Sequence, residues 1–199
     1  ELRGHTDRVY DLAFSRDGHL LVSTGKDCHA RVWDTAREQT VAVLTDKADE
    51  LGRFECVDIS PDGRFVAVGT NLGHIVVWDV DTGERIALYS DHTSNVLRVQ
   101  FSGDGNSIAS ASKDTTVRVR DTRTGENLRV LQGHDAPVYD VQFESDETHL
   151  VSSGKDGSVR VWNVSSRAYE QSDLYPRPSY AVSASDHSMA VTLPGPSVV

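Results

Sequence analysis

The chain has 199 residues and a formal net charge of −10, with 20 Lys and Arg against 30 Asp and Glu. This surplus of acidic residues argues against a general nucleic-acid binder, because such proteins neutralise phosphates with cations. The composition, 38% hydrophobic and 25% charged, is that of an ordinary folded domain. No apolar run approaches the roughly 18 residues of a membrane span.

The sequence indicates neither a secretory leader nor a disulfide framework. The first residues, ELRGHTDRVYD, are polar and lack the basic and then apolar order of a signal peptide. The two cysteines, Cys28 and Cys56, have no Cys or His partner at zinc-ligand spacing. We therefore expect an intracellular protein, cytoplasmic or nuclear, that uses no metal or other cofactor.

Four units of one design follow each other along the chain. The endings ARVWD, IVVWD, VRVRD and VRVWN close at residues 34, 79, 121 and 163, with spacings of 45, 42 and 42 residues. The turn motifs AFSRDG, DISPDG, QFSGDG and QFESDE recur with the same period. Self-similarity at such a period is typical of repeat folds, in which each unit packs on its neighbours.

Within each unit, apolar residues alternate or cluster over four to six positions, which predicts strands separated by tight turns. The predicted strands, in chain order, are VYDLAF, HLLVST, ARVW and TVAVL in unit one, VLRVQF, SIASAS, TVRV and NLRVL in unit three, and VYDVQF, HLVSS, SVRVW and RAYEQ in unit four. No stretch predicts a long helix. We expect each unit to be a four-stranded antiparallel meander.

The recurring motifs resemble those of the WD-repeat β-propeller family. The resemblance rests on Gly-His, the Asp-Gly turn, Ser-x-x-x-Asp and a terminal Trp-Asp at one period across about residues 1–171. It implies an all-β propeller of four-stranded antiparallel blades, with complete blades at about 1–45, 46–90, 91–132 and 133–172 and a partial fifth blade at 173–199. We expect 1–199 to be one partial propeller domain, part of a ring of seven or eight blades completed by further blades or another chain. A closed ring of five blades is the less favoured alternative.

The same resemblance gives the recurring polar residues a structural role. In the family, an Asp accepts a hydrogen bond from a His, the His contacts a Ser, and the Ser reaches a Trp indole N–H. A catalytic interpretation is disfavoured, because an active site is needed once whereas this pattern recurs, and buried polar groups must be paired. The corresponding residues are His5, Ser23, Asp27 and Trp33 in blade one, His92, Ser110 and Asp114 in blade three, and His134, Ser152, Asp156 and Trp162 in blade four.

Two blades depart from this pattern. Blade three has Arg120 where the tryptophan is expected. Blade two keeps Trp78, but Glu50, Val68 and Leu72 replace the His, Ser and Asp. We therefore expect blade two to be the least firmly held.

A second set of positions forms the predicted partner-binding face. In the resembled family, partners often dock where the first strand begins and where the second strand turns into the third. Because Lys and Arg attract carboxylates and phosphates, an acidic or phosphorylated peptide is the expected partner. The alternative is that the lysines are solvated turn residues. The positions carry Arg8, Tyr10 and Lys26 in blade one, Arg53, Glu55 and Asn71 in blade two, Asn95, Leu97 and Lys113 in blade three, and Pro137, Tyr139 and Lys155 in blade four.

The predicted function is a non-catalytic scaffold for protein–protein interaction within a larger complex. A narrower alternative is a sensor or substrate-recognition domain of a multidomain signalling protein. A propeller enzyme is disfavoured, because Asp11, Glu55, Asp58 and Asp140 are single carboxylates scattered over the inner strands. Binding of nucleic acid or anionic lipid through the lysines is disfavoured to a similar degree.

Overall fold

A computed structural model describes residues 1–45, 51–145 and 147–165. The described residues form fifteen strands. Blade one comprises β1 (Val9–Phe14), β2 (Leu20–Gly25), β3 (Ala30–Asp34) and β4 (Gln39–Leu44), and blade two comprises β5 (Phe54–Ile59), β6 (Phe65–Thr70), β7 (Ile75–Asp79) and β8 (Arg85–Tyr89). Blade three comprises β9 (Val96–Phe101), β10 (Ser107–Ser112), β11 (Val117–Asp121) and β12 (Asn127–Leu131), and blade four comprises β13 (Val138–Phe143), β14 (His149–Gly154) and β15 (Val159–Asn163).

Every blade is an antiparallel meander in which strands adjacent in sequence pair with each other. Blades one, two and three have four strands, and the described part of blade four has three. The predicted all-β repeat fold is therefore confirmed, with strand ends shifted by one or two residues; TVRV, for example, corresponds to β11. The predicted strand RAYEQ and the partial fifth blade at 173–199 lie outside the described residues.

The first strands β1, β5, β9 and β13 lie side by side on the inner side of the blades. Three apolar clusters fill the spaces between neighbouring blades, because each sheet has two apolar faces to bury. Their central residues are Val22, Val32 and Val57 between blades one and two, Ile75, Val77 and Val99 between blades two and three, and Ala109, Val117 and Val141 between blades three and four.

Among the described residues, no strand packs on the face of blade one that points away from blade two. Leu12 and Phe14 of β1 expose 56% and 58% of their surface. The equivalent residues of β5, Val57 and Ile59, expose 0% and 4%, because blade one covers them. The repeat thus builds a surface on blade one that a neighbouring blade covers elsewhere in the chain.

Candidate functional site

In blades one and four, a chain of hydrogen bonds ties the loop before the first strand to the sheet. The carboxylate of Asp27 lies 2.9 Å from His5 Nδ1, and His5 Nε2 lies 2.8 Å from Ser23 Oγ. The indole N–H of Trp33 donates to the same hydroxyl oxygen at 2.9 Å. The corresponding distances in blade four are 2.8, 2.9 and 2.8 Å, through Asp156, His134, Ser152 and Trp162.

The direction of these hydrogen bonds follows from the carboxylate, which can only accept. His5 Nδ1 therefore carries a proton, and the backbone N–H of Thr6 also donates to Asp27, at 3.0 Å. Burial works against ionisation of Asp27, but the hydrogen bonds from Thr6 and His5 outweigh it and hold the pKa of the carboxyl below its usual range. Both side chains are buried, so the chain fixes the loop and offers little access to a substrate.

Blade three keeps the first two links of this chain. His92 Nδ1 lies 2.8 Å from Asp114, and His92 Nε2 lies 2.8 Å from Ser110 Oγ. Burial again opposes ionisation of Asp114, but hydrogen bonds from His92 and Thr116 outweigh it and hold the pKa of Asp114 far below its usual range. In the folded blade, Asp114 is therefore ionised at neutral pH.

Arg120 takes the tryptophan position of blade three and reaches towards blade two. Its side chain is almost fully buried, and its Cζ lies 4.6 Å from the ring centroid of Tyr89 on β8. The guanidinium also forms an ion pair with Asp91 and donates to the carbonyl oxygen of Gly125 at 2.9 Å. Arg120 thus joins the outer part of blade three to the outermost strand of blade two.

The predicted partner-binding positions come together in pairs, one pair in each blade. In every pair, the backbone N–H of the residue in the turn after the second strand donates to a carbonyl oxygen just before the first strand. The chain therefore places these side chains at the same end of all four blades. The pairs are Lys26 with Arg8, Asn71 with Arg53, Lys113 with Asn95, and Lys155 with Pro137, at 2.8, 3.0, 2.9 and 2.8 Å.

The inner strands contribute the other four residues of this face. Tyr10 and Tyr139 are exposed, whereas Glu55 and Leu97 are partly buried. Each lies two residues after the loop position of its own blade. Two aromatic side chains therefore stand at the two ends of the row of blades.

Ion pairs neutralise part of the positive charge of this face. Lys26 Nζ lies 3.1 Å from Asp7, and the guanidinium of Arg53 lies 3.2 Å from Glu55. Within the described residues, Lys113 and Lys155 form no ion pair within 4.0 Å. The unneutralised lysines of the face therefore lie on blades three and four.

Charged residues to which the sequence analysis gave no role form ion pairs between the inner strands. Arg98 of β9 lies 3.5 Å from Asp11 of β1 and 3.4 Å from Asp140 of β13. The sequence analysis did not identify Arg98 as the partner of both aspartates. The available signal was its position, since Arg98 is the third residue of VLRVQF, just as Asp11 and Asp140 are the third residues of VYDLAF and VYDVQF.

Two further inner-strand side chains join neighbouring blades. Asp58 accepts a hydrogen bond from the backbone N–H of Phe101 at 2.7 Å, and Gln100 Oε1 accepts one from Phe143 at 2.7 Å. Burial raises the pKa of Asp58 to about 6, although the N–H of Phe101 favours the charged form. Asp58 and Gln100 share the fifth position of their strands, which is the signal that sequence reasoning overlooked.

The cysteines remain separate thiols, with Cys28 exposed and Cys56 buried. Burial raises the pKa of the Cys56 thiol, so the nucleophilic thiolate is disfavoured. Within residues 1–45, 51–145 and 147–165, no cluster of His, Cys, Asp and Glu has the arrangement of a metal site. In the same ranges, no helix has the length and apolar character needed to cross a membrane.

Comparison with known proteins points to one repeat family. The sequence pattern described as "WD domain, G-beta repeat" matches residues 1–34, 48–79, 83–121 and 125–163. The matched segments end at the same four residues that close the repeat in the sequence.

Several named proteins are similar to part of the chain. It is 28% identical to "Transcription initiation factor TFIID subunit 5" of Caenorhabditis elegans, over 47% of the chain and 14% of that protein. It is 32% identical to "Meiotic recombination protein rec14" of Schizosaccharomyces pombe, over 49% of the chain and 32% of that protein. It is 34% identical to "Eukaryotic translation initiation factor 3 subunit I" of Aspergillus terreus, over 51% of the chain and 29% of that protein. The chain matches a third or less of the length of each of these relatives.

Proposed function

Because the chain belongs to the WD domain, G-beta repeat family, we propose that it is a non-catalytic scaffold for protein–protein interaction within a larger complex. A fold alone does not fix a function, so the proposal rests on a site. The observation that carries it is the repeated backbone hydrogen bond that brings the predicted partner-binding positions to one end of all four blades.

The charge of this face supports an acidic or phosphorylated peptide as the partner. Lys113 and Lys155 keep their charge without an ion pair among the described residues, and lysines attract carboxylate and phosphate groups as point charges. Tyr10 and Tyr139 are exposed, and exposed tyrosines are favoured anchors in protein interfaces. We therefore expect the acidic part of the peptide to lie over blades three and four.

The three His, Ser and Asp sets support a role without catalysis. Each set is buried and internally hydrogen-bonded, and each occupies the same place in its blade. A catalytic nucleophile and its base must contact a substrate. The three buried His, Ser and Asp sets do not provide that access.

The test of the peptide proposal is the double variant Lys113→Glu/Lys155→Glu. The control, Arg3→Glu/Arg123→Glu, changes the same charge at exposed positions away from the face. Fluorescence anisotropy with a labelled peptide of alternating Glu and Ser, and with its phosphoserine form, measures the affinity at low salt. We expect the first variant to weaken binding at least tenfold and the control to leave it unchanged. Equal affinities of the wild type and the first variant would overturn the proposal.

We also propose that the four blades are part of a larger ring, completed by further blades or by another chain. The support is the open face of blade one and the exposure of Val159 and Val161 on β15, whose counterparts Ile75 and Val77 on β7 are buried. Such apolar surfaces favour association. Light scattering with a thermal melt tests this proposal: we expect self-association or a melt without cooperativity, and a monodisperse monomer with a cooperative melt would contradict it.

We infer an intracellular location, in the cytoplasm or the nucleus. The support is that two relatives are named as transcription and translation initiation factors. Imaging of a fluorescent fusion tests the location, and a secreted fusion would contradict it.

A further inference from the structure

A cavity of about 380 Å³ opens at the opposite end of the inner strands from the partner-binding face. We name it the turn-end cavity. Its apolar walls are the last residues of the four first strands, one from each blade, so the repeat itself builds the lining. These residues are Phe14, Ile59, Phe101 and Phe143.

The polar groups of the turn-end cavity carry more negative than positive charge. Asp58 lines the cavity, and Glu144 and Glu147 lie beside it on blade four. The cation among the lining residues is Arg16, whose guanidinium donates to the carbonyl oxygen of Gly103 at 3.4 Å. Arg98, which acts electrostatically on Asp58, is already paired with the carboxylates of two other blades.

The two glutamates mark a departure from the repeat. In blades one to three, the turn after the first strand is Ser-x-Asp-Gly, and its glycine has a φ of +74°. The serine hydroxyl donates to the aspartate at 2.6, 2.5 and 2.6 Å in these turns, through Ser15, Ser60 and Ser102.

Blade four has Glu144 at the serine position and Glu147 at the glycine position. The N–H of Glu147 donates to the carbonyl oxygen of Glu144 at 3.0 Å, just as the glycine N–H donates to the serine carbonyl oxygen in the other three blades. Glu147 has a φ of +56°, a left-handed conformation that favours glycine over a residue with a side chain. Blade four therefore has two carboxylates at the cavity, where the other blades have the serine and glycine of a less strained turn.

We propose that the turn-end cavity binds the side chain of an arginine from a basic segment of a partner protein. The planar guanidinium stacks on aromatic faces, which Phe14 and Phe143 supply, and it pairs with carboxylates through two parallel hydrogen bonds. The apolar walls suit its alkyl stem. The scaffold then holds an acidic segment on the partner-binding face and a basic segment at the opposite end.

The test uses the 199-residue chain and a labelled peptide that contains two arginines separated and flanked by glycines. A matched peptide carries citrulline, which keeps the shape of arginine without its charge. The key variant is Glu144→Ser/Glu147→Gly, which gives blade four the turn residues of the other blades and so keeps the fold. The control, Glu84→Gln/Glu126→Gln, removes two charges at exposed turn positions that do not line the cavity.

We expect the arginine peptide to bind at least tenfold more tightly than the citrulline peptide, and the key variant to weaken it at least tenfold. The control variant is expected to bind like the wild type. Equal binding of the two peptides, or no effect of the key variant, would overturn the proposal. A lysine peptide that binds as well as the arginine peptide would overturn the choice of arginine. Unchanged binding in Lys113→Glu/Lys155→Glu separates this site from the partner-binding face.

Discussion

Blade two encloses its tryptophan with apolar side chains, whereas blade three fills the same region with a hydrogen-bonded chain. In blade two, Val68 takes the serine position, the rings of Phe54 and Trp78 lie 5.6 Å apart, and all five residues of β7 are buried. In blade three, His92 and Ser110 remain hydrogen-bonded within the sheet. The two blades show that polar pairing and apolar packing are alternatives in this repeat.

The His, Ser and Asp of a blade change together, whereas the tryptophan position varies independently: blade two keeps Trp78 but has lost the three polar residues, and blade three keeps them but has Arg120. A buried polar group that loses its partner costs more than one hydrogen bond contributes, so the loss of one of the three residues alone is unfavourable. The expectation that blade two is the least firmly held stays a prediction. The following substitutions test whether the apolar packing of blade two and the hydrogen-bonded chain of blade three are interchangeable.

The largest effect is expected from Asp114→Leu, which places the leucine of blade two into the polar setting of blade three. It removes the acceptor of His92 Nδ1 and of the Thr93 and Thr116 N–H groups. We expect the free energy of unfolding to fall by about 3 kcal/mol, because the buried His92 and two backbone N–H groups lose their common acceptor. Urea denaturation measures the change, and a loss below about 1 kcal/mol would mean that single residues are interchangeable after all.

The next effect concerns Asp58, the carboxylate that joins the two blades. Because its pKa in the fold, about 6, lies above the usual value of 3.8, its stabilising contribution is present at low pH and is lost as the pH rises through 6. Asp58→Asn keeps an oxygen for the Phe101 N–H, as Gln100 does for the next blade. We expect the variant to be about 2 kcal/mol more stable than the wild type at pH 8.

The pH dependence supplies the control for this prediction. The stability difference between Asp58→Asn and the wild type is expected to shrink as the pH falls from 8 to 5, because the wild-type carboxyl then becomes protonated. Thermal melts across this range measure the difference. A constant difference would show that Asp58 does not titrate there.

A smaller effect is expected from Tyr89→Leu, which removes the ring beneath Arg120. We expect a loss of about 1 kcal/mol, since a partly desolvated guanidinium loses its cation–π contact while leucine keeps part of the packing. Tyr139→Leu serves as the control, because Tyr139 is half exposed. Equal effects of the two substitutions in chemical denaturation would contradict a specific contact between blades two and three.

The smallest effect is expected from Leu72→Asp, the reverse of the first substitution. Leu72 is 50% exposed, so the new carboxylate stays in water, and blade two has Glu50 where the other blades have the histidine that pairs with this aspartate. We expect a change within about 0.5 kcal/mol in either direction by urea denaturation. A gain above that limit would show that an aspartate alone begins to build the polar chain.

The strands follow from the sequence because their signals are local. VYDLAF, VLRVQF and VYDVQF coincide with β1, β9 and β13, since alternation with a period of two identifies a strand without knowledge of its neighbours. The pairing of each His with a Ser and an Asp was implied by the family resemblance. The contacts of Arg98 and Arg120 were not, because both residues depart from the repeat and reach other blades.

The sequence by itself determined the repeat and the strands, and the family resemblance implied the end of the blades at which Lys26, Lys113 and Lys155 lie. Only the tertiary structure decided that Asp7 neutralises Lys26 while the other two lysines form no ion pair among the described residues. It also decided that four first strands converge on one cavity. The physical reason is that Coulomb interactions and cavities depend on distances between residues far apart in the chain, which no local pattern specifies.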